Sequence, residues 1–153
     1  MRSLGFRYWL LFGCFLFCSG GVVAQDLKVL VLDALNGKPQ ANVKVEYFCV
    51  GPPSNSTSKA VLTDDKGLAS ISNFCSDQQK VEILLFPSDK KEQCGGDAGM
   101  SFSDVLSGGF LSHPDSAGGI WCPTKVSKGL KPVPGQVTLF VKKPTWYQSH
   151  IAG

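Results

Sequence analysis

The chain has 153 residues, of which 15 are basic, 12 acidic and 43% hydrophobic. Arg2 and Arg7 are its only arginines, and from residue 25 onward 13 lysines face 12 carboxylates, a net charge of +1. A near-neutral body without arginine lacks the basic footprint of a nucleic-acid binder and the planar fork that clamps phosphates and carboxylates, so no nucleic-acid partner is expected.

Arg2 and Arg7 precede an apolar run from Tyr8 to Cys18, which Ser19, Gly20 and Gly21 break before Val22, Val23 and Ala24. This layout predicts a secretory signal over 1–24, cleaved near Ala24–Gln25, and hence a secreted or periplasmic location. The alternative, a retained anchor, is disfavoured because the run is shorter than the roughly 20 residues of a membrane span. The body, 25–153, suits one domain with its own core better than two.

After the signal the chain reads almost entirely as strands. LKVLVLD (Leu27 to Asp33) is rich in valine, and NVKVEYFCV (Asn42 to Val50) alternates, with Val43, Val45, Tyr47 and Cys49 on one face and Lys44 and Glu46 on the other. The link between them holds the turn formers Asn36, Gly37 and Pro39. A polar loop follows, in which Asn55, Ser56 and Thr57 form a glycosylation acceptor for a eukaryotic source. Further strands are expected at 59–63, 68–72, 81–86 and 136–142, with no long helical period and no internal repeat. Short strands and frequent turns predict an all-β class, a single antiparallel sandwich.

LTDDKGLAS (Leu62 to Ser70) raises three readings: a metal loop, a carboxylate pair, or a turn. A calcium loop needs alternating oxygen ligands and a distal Glu, which are missing. The turn reading makes Asp64, Asp65, Lys66 and Gly67 the connection of a hairpin, with Asp64 accepting a backbone N–H and Gly67 left-handed.

From Pro87 to Pro134 runs a long segment rich in glycine and containing Cys94 and Cys122. Within it SFSDVLSGG suggests one or two helical turns, capped by Ser101, with Asp104 in the capping-box position and Gly108 at the end. Its apolar residues either cover the sandwich edge or present a partner-binding surface. Candidate surface residues are Phe110, Leu111 and Trp121, joined by Trp146 and Tyr147 after the last strand.

Four cysteines, Cys49, Cys75, Cys94 and Cys122, follow the signal at spacings of 26, 19 and 28 residues. An even count without close pairs predicts two disulfides in an oxidising compartment. Loop closure is worth roughly 3.5 kcal/mol per bond and cannot choose among the three connectivities. Chain order favours Cys49–Cys75 and Cys94–Cys122: Cys49 ends a strand, Cys75 follows the 59–72 pair, and the other two bracket the insertion.

VLVLDALNGKPQANVKVEY followed by VLTDDKGLASI resembles the carboxypeptidase regulatory-like domain, a transthyretin-like β-sandwich. The shared pattern is an opening strand, a D-x-x-x-G-x-P turn, a V-x-V strand and a T-D-x-x-G hairpin. It covers about Leu27 to Phe86, leaving 87–134 as an insertion and 135–153 as the last strand and tail. The resemblance implies an accessory, adhesive or carbohydrate-binding-like module of an exported protein, without catalysis or cofactor.

Enzymatic readings fit poorly. His113, His150, Tyr47 and Tyr147 equal the ligand count of an intradiol dioxygenase on a related sandwich, but the two histidines lie 37 residues apart. The tail YQSHIAG lacks the Tyr-Arg-Gly-Ser ending of transthyretin-like hydrolases, and no serine sits in a nucleophile elbow. The expectation is an exported, non-catalytic module with a structural or protein-interaction role; the alternative is a carbohydrate-binding accessory module using Trp121, Trp146 or Tyr147.

Overall fold

The computed structural model describes residues 26–52, 58–72, 75–76, 79–95, 99–113 and 121–145. The expected signal segment, Asn55, Trp146, Tyr147 and His150 lie outside the described residues.

The all-β expectation is met by two sheets and one short helix. The first sheet contains β1 (Leu27–Asp33), β4 (Leu68–Ile71), β6 (Glu92–Gln93), β8 (Phe110–Leu111) and β9 (Gln136–Lys142). The second contains β2 (Lys44–Val50), β3 (Lys59–Leu62), β5 (Lys80–Phe86) and β7 (Met100–Ser101). The order of the first sheet is β4-β1-β9, with β6 and β8 pairing along the far side of β9; that of the second is β3-β2-β5-β7. The second sheet is antiparallel throughout, whereas β1 and β9 run parallel in the first.

One apolar core joins both sheets. Val29 and Val31 of β1 and Val137 and Leu139 of β9 meet Val45 of β2 and Ile83 of β5 in a single buried cluster. The short helix α1 (Phe102–Gly108) adds Phe102 and Val105 to it. The Cys49–Cys75 disulfide lies in the same cluster, its Cα atoms 5.6 Å apart.

The turn at Asp64–Gly67 is present, but it does not close a hairpin. β3 pairs with β2 and β4 pairs with β1, so this turn carries the chain from the second sheet to the first. Asp64 Oδ1 accepts the backbone N–H groups of Lys66 and Leu68 at 2.8 and 2.9 Å, and Gly67 has φ +71°. A Cβ at Gly67 would lie 2.7 Å from the Val31 carbonyl oxygen and 2.9 Å from the Gln40 amide nitrogen, so glycine is required both for its conformation and for close approach to β1. Buried Thr63 reinforces the crossing: its hydroxyl donates to the Gln40 carbonyl at 2.6 Å and accepts the Val43 N–H at 2.9 Å.

The helix starts where expected, directly after Ser101, but without the capping box. Ser101 makes no side-chain cap bond, because it is the last residue of β7 and its hydroxyl pairs with that of Ser103 at 3.0 Å. Gly109, not Gly108, takes the positive φ that ends the helix, and its N–H donates to the Val105 carbonyl at 2.8 Å. A Cβ at Gly109 would overlap the Val133 backbone, so close packing selects this glycine.

The segment 87–134 is woven into the fold rather than set apart from it. It supplies β6 and β8 to the first sheet and β7 to the second. It also builds a small second core on the outer face of the first sheet. There Leu32, Ala34 and Phe140 are buried against Cys94 and Cys122, and Leu111 and Val126 pack alongside.

Candidate functional site

The Cys94–Cys122 disulfide is positioned by β9. The Cys94 N–H donates to the Phe140 carbonyl at 2.8 Å, which fixes Cys94 against the sheet. Cys122 then lies 5.7 Å away between Cα atoms, and both cysteines are fully buried. Trp121 precedes this anchor and is 63% exposed. Its carbonyl accepts the Nζ of Lys142 at 3.4 Å, and Lys142 itself is buried. The carbonyl side of Trp121 is thus held by Lys142 and by the disulfide of the next residue, while the residue as a whole stays largely exposed.

Phe110 and Leu111 do not join Trp121 in one exposed surface. They are successive residues of β8, so strand alternation sends them to opposite faces of the first sheet. Phe110 packs on the main core and Leu111 on the small cluster around Phe140. The expected common surface therefore reduces, among the described residues, to Trp121. Phe110 also lines a shallow groove of ≈ 230 Å³ between β7, α1 and β8, with Met100 and Val105 behind it and Ser101 and Asp104 alongside.

In the Asp64–Gly67 turn, Asp64 is occupied by two N–H groups and Asp65 is exposed. Among the described residues, no group of three His, Cys, Asp or Glu side chains could hold a metal ion. Tyr47 is buried in the main core, and burial pushes its phenol above the usual value. A partly buried ion pair, Asp33 with Lys91 at 3.4 Å, ties the end of β1 to the segment before β6. Asp33 also accepts the Leu35 N–H at 2.9 Å, which shapes the turn through Gly37 and Pro39.

Sequence reasoning missed the outer face of the second sheet. Leu62, Phe86 and Val50 are 63, 48 and 39% exposed there. The signal was present in the strands: Lys44-Val45-Glu46 and Lys80-Val81-Glu82 each begin a strand, and each is followed by four apolar or aromatic residues. Alternation buries one half of those residues and leaves the other half on the charged face.

No helix among the described residues is long and apolar enough to cross a membrane, and two disulfides are compatible with an oxidising compartment. Compared with known proteins, the chain matches no family model, no curated protein and no solved structure.

Proposed function

We propose that this chain is an exported, non-catalytic β-sandwich module of the carboxypeptidase regulatory-like type, whose role is to bind another protein. The reading is carried by Trp121. A large aromatic ring is offered to solvent at a backbone position that a buried disulfide and the Lys142 contact hold in place. An anchor that is ordered before binding loses less entropy on association than one on a free loop. Tryptophan is also enriched among the few residues that dominate interface energy. The sandwich assignment draws support from the two sheets sharing a core, and the family likeness from the turn at Asp33–Pro39.

The test is capture from the secreted or periplasmic fraction by immobilised protein, wild type against Trp121→Ala. The expected result is a specific partner whose affinity falls by about 2 kcal/mol or more in the variant, while stability stays within roughly 1 kcal/mol. Capture unaffected by the substitution would refute Trp121 as the anchor. A glycan is the second reading, because an exposed indole face also stacks on sugars. A glycan array against the same two proteins separates the readings, since only the second expects Trp121-dependent sugar binding.

A further inference from the structure

The outer face of the second sheet carries a pattern that is complementary to itself. Lys44 lies between Leu62 on β3 and Phe86 on β5, in register. The next row on the same face is Ala60, Glu46 and Leu84. Within these two rows Lys44 and Glu46 stand in the middle column with apolar residues on each side, before the face continues to Phe48 opposite Glu82 and Val50 opposite Lys80. Lys44 and Glu46 are 3.8 Å apart, and the Lys44 ammonium sits 5.0 Å from the centroid of the Phe86 ring.

Consider a twofold axis in the plane of this face, perpendicular to the strands and passing between the two rows. It exchanges the rows. Lys44 of one copy then faces Glu46 of the other, and Glu46 faces Lys44, so four charges alternate in sign around a square. Leu62 meets Ala60 on one side, and Phe86 meets Leu84 on the other. This is the isologous arrangement of a twofold dimer, in which residue i contacts j and j contacts i. Face-to-face sheets cross at about 30°, which fans the flanking columns but leaves the central one on the axis. A uniformly charged or wholly apolar face would have no such preference for its own copy.

We propose that this face is a homodimer interface, built on reciprocal Lys44–Glu46 contacts between two copies of the chain. It is separate from the Trp121 surface and does not depend on the partner-binding reading. The two rows of three residues span only about 14 Å in each direction from strand spacing and rise. Such a patch is well below the roughly 800 Å² per partner of a standard interface, so the dimer is weak and concentration-dependent.

Sedimentation of the chain lacking residues 1–24, from about 10 µM to about 1 mM, spans the affinity expected of so small an interface. Wild type is expected to shift reversibly from monomer to dimer. Lys44→Glu alone and Glu46→Lys alone should each weaken dimerisation at least tenfold, because each places like charges opposite one another. An equimolar mixture of those two variants should dimerise again, as should the exchanged double variant Lys44→Glu/Glu46→Lys. Circular dichroism and melting temperature confirm that each variant folds. Wild type remaining monomeric across the range would overturn the proposal. So would reversals without effect, or a mixture that fails to associate, since reciprocal Lys44–Glu46 contacts require both the loss in each single variant and its recovery in the mixture. Loss of Trp121-dependent capture would leave these outcomes unchanged.

Discussion

The outer face of the β1–β9 sheet and the outer face of the β2–β5 sheet meet the same problem differently. Both carry large apolar side chains. On the first, Leu32 and Phe140 are buried by the chain itself, through the Cys94–Cys122 disulfide, Leu111 and Val126. On the second, Leu62 and Phe86 stay exposed, interleaved with Lys44 and Glu46. The strands differ accordingly. VTLFVK in β9 is buried at every position, as a strand covered on both faces must be, whereas KVEYFCV and KVEILLF alternate. The segment 87–134 covers one face, while charges on the other leave it to meet water or a partner.

The largest expected contrast comes from cutting one phenylalanine on each face. Phe140→Ala should cost about 3–5 kcal/mol of unfolding free energy by opening a cavity in the small core. Phe86→Ala should stay within about 1 kcal/mol, since its ring is half exposed. Equal losses in denaturant titrations would erase the distinction between the faces.

Removing the cover's fastening comes next. Cys94→Ser with Cys122→Ser should cost roughly 3.5 kcal/mol, from the freedom returned to a loop closed over 28 residues. A loss below about 1 kcal/mol would mean that the segment 87–134 docks without help from the bond, sharpening the role of Leu111 and Val126.

At the crossing between the sheets, Gly67→Val should cost about 1–3 kcal/mol for the left-handed backbone, and more where the new Cβ meets β1. Asp65→Ala should change stability by about 0.5 kcal/mol or less, as expected for an exposed turn residue. A calcium-dependent rise in melting temperature that Asp65→Ala abolishes would contradict the turn assignment.

The smallest effect is a pH dependence from the inner face of the second sheet. Burial raises the Tyr47 pKa above its unfolded value of about 10. The folded state thus favours the neutral phenol, and its contribution is complete below about pH 10 and lost as pH rises through the folded value. Urea midpoints followed from about pH 9 to 11 should fall more steeply for wild type than for Tyr47→Phe. Parallel curves would place Tyr47 in contact with water.

Much of the architecture was legible from alternation and turn chemistry. The apolar runs at 27–33, 42–50, 81–86 and 136–142 became strands, those at 42–50 and 81–86 because a two-residue period buries one side. Asp64 and Gly67 fixed their turn through local bonds, which sequence carries well. Sheet membership was less legible: a tight turn between two strands suggests a hairpin, and only the long-range bonds of Thr63 and Gly67 to the β1–β2 region send β3 and β4 apart. Gly109 was hidden for the same reason, since Val133 lies 24 positions away in the sequence. Of the candidate surface residues among those described, Trp121 is the exposed one. Phe110 and Leu111 were separated by a β8–β9 pairing of two residues, too short to announce itself in composition.

The most direct test of the account is side-chain footprinting of the folded chain by hydroxyl radicals, read by mass spectrometry at a concentration where it is monomeric. The account predicts prompt modification of Trp121, Phe86 and Leu62, and protection of Phe140 and Leu32 until the protein unfolds. Modification of Phe140 in the native state at a rate comparable to that of Phe86 would contradict it.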